Sequence, residues 1–342
     1  LYEAQDLLPP FGGYVTTPIA DLRKIITSVT DIRVPVGRFG DWAMVVPALQ
    51  GAGVTDKDLL LNAYSFDGGV FGHMIQDASL AMGVRSIAVG DASVEQIMAS
   101  LIDMGATAFA GPADTFIQIL EKVRDEEIEG FMVEKALIDQ SFEFIDPALL
   151  DEFPNLYPCG CMMADMFGVI AYQPRGERAF VCSERLIVEV CKPGTGANVL
   201  PGEVGELVLT RLDKHMPLFR ISTGVLTRVL QDPSPSGRTN TKIQGWMGSS
   251  DELLHLDNGT TITGADVLGV IEAIEAVDRA LLQMDPSGLM LNITVKENFE
   301  EFGVATSAGR EFRNLTKEEA RAVVRPAGSI GFFDPLIVDR RD

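Results

Sequence analysis

The sequence predicts an α/β protein: a large domain of βα units, an antiparallel β subdomain, and a small, reduced α+β domain at the C-terminal end. Three observations carry that reading. Helical and strand periods alternate through the first half of the chain, and short strands between Gly and Pro turns replace them from about residue 179. In addition, 46% of the 342 residues are hydrophobic, enough to bury a sizeable core.

The elements follow in order. "DWAMVVPALQGAG" (41–53) has apolar residues at helical spacing and a glycine stop, and "DKDLLLNAYSF" (56–66) reads as a buried strand. "GHMIQDASLAMG" (72–83) predicts a helix ending on Gly83, and "VRSIAVG" the next strand. Ser93 caps a helix over 93–105, "ATAFAG" is a strand, and "ADTFIQILEKVRDEE" closes a third unit. Repeated βα units of this length imply a mostly parallel sheet covered by helices. "RLIVEVC", "GELVLTRL", "LTRVLQD" and "TKIQGWMG" then predict the antiparallel subdomain, with no internal repeat and no low-complexity linker.

Charge and cysteine usage narrow the partners. Lys and Arg number 28 against 49 Asp and Glu, a net charge of -21, so DNA or RNA would be repelled. Cys159, Cys161, Cys182 and Cys191 make no disulfide framework in a chain this long, which predicts a reducing cytoplasm. Cys159-Gly160-Cys161 lacks the two-residue gap usual for zinc, and His73, His215 and His255 are all distant in sequence. No apolar run is long enough for a membrane span, and no signal peptide is visible. The chain opens on Leu1 rather than Met, which predicts that its natural N-terminus lies further upstream.

The most informative stretch is "MPLFRISTGVLTRVL" (216–230). Thr223-Gly224 ends a polar run and lets the backbone approach a ligand, because Gly224 has no side chain in the way. A ligand with sugar hydroxyls wants a carboxylate next, and the chain offers Val225.

"LPGEVGELVLTRLDKHMPLFRISTGVLTRVL", then "SGRT" and "MGSSDELL", resembles the phenylacetate–coenzyme A ligase and coenzyme F390 synthetase branch of the adenylate-forming enzymes. Upstream, "YSFDGGVFGHMIQDASLAMGVRSIAVG" is similar to that branch's Gly-Gly-x-x-Gly-x-His region, and "RPAGSIGFFDPLIVDRRD" to its C-terminal end. The resemblance spans nearly the whole chain. It implies a large ATP- and carboxylate-binding domain over about 1–250, with its β subdomain at about 179–250, and a small domain over 251–342. It also implies attack of a carboxylate on the α-phosphate of ATP, with Mg2+ required. Thr27 and Ser28 then stand at the start of the phosphate loop. Gly160, Cys161 and Met162 fall on the family's Tyr-Gly-x-Thr-Glu loop, with Thr223, Gly224, Val225 and Arg238 further along the nucleotide site. Phe66, Gly68, Gly69 and His73 fall on the acyl pocket.

The departures are as informative as the matches. The family's ribose-binding Asp is Val225, its magnesium-holding Glu has only Asp165 as a substitute two places on, and its hinge Arg is Ser249. Asp251 and Glu252 keep the hinge's acidic pair, and no lysine stands near Asp334–Pro335, where the family's catalytic lysine belongs. "PSPSG" (233–237) replaces the zinc-ligand cysteines of the branch. After Ser28 no glycine follows until Gly37, so either the glycine-rich loop is lost or a glycine-rich segment belongs between Ser28 and Val29. Structural readings stand beside the functional ones. Met162, Met163 and Met166 also fit core packing, Arg238 a surface ion pair, and Phe66 and His73 helix-on-sheet packing.

Two functions remain open at this point. One is adenylation of an aryl or other hydrophobic carboxylate, without thioester formation. The acyl-adenylate would pass to a partner reductase or acyl acceptor protein, as proposed for similar atypical members in phenazine antibiotic pathways. The other is a pseudoenzyme that binds a ligand or partner. A homodimer is admitted in either case.

Overall fold

The computed structural model describes residues 2–3, 15–28, 33–37, 42–139, 141, 145–235, 237–296, 299–330 and 334–341. By its contacts the chain divides into two compact units. One comprises Leu1–Val188, Leu209–Ile221 and Leu230–Gly245, and the other Glu189–Val208, Ser222–Val229 and Trp246–Asp342.

The first unit is built on a parallel sheet. Its strands run in the order Tyr157–Ala164, Lys135–Ile138, Ala108–Gly111, Leu59–Asn62 and Arg85–Ala88, each parallel to the next. Successive strand residues point to opposite faces. Leu60, Ala108, Ala110, Leu137 and Cys159 therefore join one core, with helices Val45–Gly51 and Phe71–Met82. Leu61, Phe109, Ala136 and Ile138 join another on the opposite face, with helices Val94–Met104 and Ala113–Asp125. Burial on both faces explains why these strands read as continuous apolar runs.

Local signals place the helices as the sequence predicts. The Ser93 hydroxyl accepts the Gln96 N–H at 3.3 Å while the Gln96 side chain accepts the Ser93 N–H at 3.0 Å, a reciprocal cap. Gly83 and Gly105 end their helices at φ 71° and 63°, a conformation that glycine adopts without steric cost.

Antiparallel pairing starts earlier than residue 179. Gly168–Tyr172 already pairs antiparallel with Tyr157–Ala164, and Phe180–Cys182 and Lys242–Ile243 continue the sheet. The sequence hides this because "YPCGCMMA" contains no β-branched residue to mark a strand. A second difference is that Leu218–Thr227 is one strand of ten residues, where the sequence suggested a break at Gly224. Arg220 and Gly224 turn the backbone locally at φ 49° and 73° without ending the pairing.

The second unit has its own core. Strands Ala320–Val324, Gly288–Val295, Val277–Asp285 and Ile337–Asp339 form a four-stranded sheet in that order. Leu282, Leu291 and Ile293 pack with Val267 and Ile271 of helix Gly264–Glu272 and with Ala308 and Phe312 of helix Glu301–Thr316. Among the described residues, no helix is long and apolar enough to cross a membrane.

Candidate functional site

Sheet order and chain order part company at Leu59–Asn62. The chain leaves this strand through helix Phe71–Met82 for the neighbour on one side, then returns through helix Val94–Met104 to the neighbour on the other. In open α/β sheets, ligands bind beyond the carboxyl ends of the strands at such a reversal. Residues 63–70 occupy that position here.

Buried Asn62 shapes this loop. Its side-chain amide donates to the Gly72 carbonyl at 2.9 Å and its amide oxygen accepts the Tyr64 N–H at 3.2 Å. A Cβ on Gly69 would lie 2.8 Å from the Ser65 carbonyl oxygen, and one on Gly72 only 2.4 Å from it, so the loop folds tightly on its glycines. Gly68, at φ 68°, makes the turn. Phe66 and His73 meet edge to face, ring centroids 5.2 Å apart. Burial, helped by Lys24, holds the His73 imidazole below its usual pKa, which favours the neutral ring. The four acyl-pocket candidates thus share one loop and helix start. Tyr64 beside them is buried, and among the described residues its hydroxyl has no hydrogen-bond partner. Burial raises its pKa far above the ordinary value, with Asp139 and Cys161 adding to the effect.

A second group joins residues far apart in sequence. Thr27 is the last residue of strand Lys24–Thr27 and is exposed, while Ser28 is buried. The Ser28 hydroxyl hydrogen-bonds the carboxyl of Asp165, whose pKa burial raises and this bond partly restores. The stretch 29–32, where the phosphate loop would continue, lies outside the described residues. Gly160 pairs with Ile138, and its carbonyl accepts the Gln173 N–H at 2.8 Å. Cys161 opposes Tyr172 and Met162 opposes Ala171, and a register shift follows Met162 on the way to Asp165. The Arg238 guanidinium lies 5.6 Å from the centre of the Tyr172 ring. Met163 packs against the core and Met166 is buried, which accounts for both as packing residues.

All four cysteines are buried thiols. Burial pushes the Cys159 and Cys182 thiols up to about 12 and Cys161 higher still, so they are poor metal ligands at neutral pH. Among the described residues, no group of three His, Cys, Asp or Glu is placed to hold a metal ion.

The third group lies in the second unit. The Thr223 hydroxyl donates to the Leu207 carbonyl at 2.7 Å and accepts the Val225 N–H at 3.2 Å. Beneath it, the carboxylate of buried Glu206 accepts the Ser222 hydroxyl and, at 3.2 Å, the Gly224 N–H. Val225 pairs with Ser249 on the adjacent strand. The sequence reading missed Glu206, which it took as a strand residue, and also Tyr64 and Asp139, which only the ends of the folded strands bring forward.

No family model matches the chain. Phenylacetate–coenzyme A ligase of Thermus thermophilus is 24% identical over 243 residues, covering 68% of this chain and 54% of that protein. The chain thus spans about half the length of that curated relative. Among solved structures, an open conformation of 2-hydroxyisobutyryl-CoA ligase in complex with 2-HIB-AMP and CoA superposes with a TM-score of 0.74 at 19% identity, over 99% of this chain and 81% of that one. Apo MatB from Rhodopseudomonas palustris gives 0.58 at 14% identity, over 93% and 67%. The amide bond synthetase McbA from Marinactinospora thermotolerans gives 0.53 at 12%, over 85% and 62%. The chain thus shares its fold with these solved structures.

Proposed function

We propose that the chain adenylates an aromatic or other hydrophobic carboxylic acid. A carboxylate oxygen attacks the α-phosphorus of ATP, the bond from the α-phosphorus to the bridging oxygen breaks, and acyl-AMP and pyrophosphate form. The observation that carries this reading is the hydrogen bond between Ser28 and Asp165, which unites the start of the phosphate-loop region with the carboxylate beyond Met162.

The donors there fit magnesium. A hydroxyl and a carboxylate are hard oxygen ligands, and magnesium is commonly held by one or two carboxylates with phosphates and waters completing the shell. Asp165 and Ser28 would hold the ion, and when bound it supplies positive charge against the triphosphate. On this reading Phe66 and neutral His73 wall the acid's apolar body, with Gly68 and Gly69 letting it lie close to the backbone. Arg238 adds positive charge from the Tyr172 side. The adenylating domain extends to about residue 250 and the small domain covers 251–342. On this reading the acyl-adenylate is handed, in the cytoplasm, to a partner such as a reductase rather than to coenzyme A. Antibiotic biosynthesis of the phenazine type is a context that would use such a hand-over.

Val225 and the missing lysine favour a second reading, a pseudoenzyme that keeps the fold for binding alone. Exchange of labelled pyrophosphate into ATP separates the two, because it needs only the first half-reaction. Exchange that depends on an aryl acid and magnesium supports the enzyme. A full-length protein that gives none across a broad acid panel supports the pseudoenzyme.

A further inference from the structure

Asp165 stands in a turn that its own unit holds from two sides. Strands Tyr157–Ala164 and Gly168–Tyr172 pair antiparallel as far as Ala164 with Gly168, and the Phe167 N–H closes the turn on the Ala164 carbonyl at 3.1 Å. Gly168, at φ 74°, lets one side lie against backbone. The Val169 N–H donates to the Ala43 carbonyl at 2.8 Å, and a Cβ on Gly168 would lie 2.8 Å from the Ala43 Cα. The other side is held by a charge. Arg211, 4% exposed, donates from its guanidinium to the carbonyl of Met166, the residue next to Asp165.

Burying a guanidinium is costly unless it is paired and hydrogen-bonded. The stretch "RLDKHM" (211–216) supplies the partner. Asp213 Oδ2 lies 3.6 Å from the Arg211 guanidinium, while Oδ1 accepts the His215 N–H at 2.7 Å and the Met216 N–H at 3.0 Å. An aspartate that accepts from the backbone just downstream fixes a tight turn. This turn delivers His215 to the hairpin of strands Lys24–Thr27 and Arg33–Val36, whose first strand runs into Ser28. His215 Nδ1 and the Thr17 hydroxyl share a hydrogen bond at 2.7 Å, and the Thr16 N–H donates to the His215 carbonyl at 3.0 Å. A Cβ on Gly37, just past the hairpin, would overlap the His215 ring. One short turn thus grips both sides of the Ser28–Asp165 hydrogen bond, the Asp165 turn through Arg211 and the Ser28 hairpin through His215. All of these residues belong to the first unit.

We infer that Arg211 is a positioning residue for magnesium, acting through the Met166 carbonyl to fix the turn that aims the Asp165 carboxylate at Ser28. Magnesium demands near-ideal octahedral geometry, so a loosened turn weakens the ion before it weakens the nucleotide. Groups that orient a metal ligand from behind typically matter about 10–100-fold in metal affinity. The inference rests on the reading of Asp165 as a magnesium ligand and adds the residue that sets its geometry.

Thermal-shift titration of the full chain with magnesium, at a saturating non-hydrolysable ATP analogue, tests it. Arg211→Met alone would leave Asp213 without its counter-charge, so the variant used is Arg211→Met with Asp213→Asn, whose amide oxygen still accepts both turn N–H groups. Its half-saturating magnesium concentration should rise about tenfold. Its affinity for the analogue in EDTA should stay that of the wild type. Arg211→Lys keeps the charge without the planar fork and should fall between the two. Unchanged magnesium dependence in the double variant overturns the inference, as does an equal loss of analogue affinity with and without magnesium, the mark of a general structural defect. If the double variant does not fold, the lysine variant decides, and wild-type magnesium dependence there overturns the inference. Asp165→Asn separates the inference from the reading beneath it. If that variant loses the magnesium effect and the Arg211 variants keep it, the inference alone fails; if Asp165→Asn keeps it, both fail.

Discussion

Asp165 was legible in the sequence only as the nearest acid to a missing glutamate; its contact with Ser28 was not, because nothing in linear spacing brings those two positions together. The contact gives the assignment a direct test. Magnesium with a non-hydrolysable ATP analogue should raise the melting temperature of the wild type, and Asp165→Asn should abolish the magnesium-dependent part while leaving the unliganded protein folded. The cysteines give a second test at this scale. Burial raises the Cys159 thiol from 9.0 to about 12, so it stays protonated in the fold at pH 8 to 9. Ellman titration of the native protein should find no reactive thiol, and denaturation should release all four. The linkage has a definite sign. The raised folded pKa contributes stability that is complete below the unfolded value and is lost as pH rises from about 9 towards about 12. Stability should fall over that window.

Among the elements, the helices and central strands could be read from sequence because each carries a local signal. Ser93 with Gln96, the glycines at 83 and 105, and the apolar runs at 59–62 and 108–111 all act over a few residues. The strand at 157–164 could not, since its place in the sheet is set by pairing with Lys135–Ile138, distant in sequence. The loop at 63–70 shows both cases. Its glycines were visible, but the reason for them, the approach of Gly69 and Gly72 to the Ser65 carbonyl, is a tertiary fact. Gly72→Ala should therefore destabilise the protein by about 2–4 kcal/mol, because the added methyl has backbone rather than a flexible side chain to displace. Gly83→Ala meets nothing within 4 Å and carries only the strain of φ 71°, so it should cost about 1 kcal/mol. Urea denaturation of the two variants compares them directly, and equal losses would contradict the packing account of Gly72.

For the molecule as a whole, the net charge of -21 sets a salt dependence. Self-repulsion at long range is screened by added salt, so the melting temperature should rise with sodium chloride before specific ion pairs begin to weaken. A melting temperature that falls from the first addition would show that pairs such as Lys135 with Asp58, 2.8 Å apart, outweigh the net repulsion. The fold class and the family resemblance were legible across the chain, since both are distributed over many residues. Whether the chain retains the chemistry of the fold turns on a few positions, Val225 and Asp165 chief among them. Mass spectrometry of an acid-quenched reaction with ATP, magnesium and a panel of aryl acids addresses that chemistry most directly. The account predicts an acyl-AMP ester for at least one acid, absent without magnesium and strongly reduced in Asp165→Asn. Binding of ATP with no acyl-AMP from any acid would contradict it.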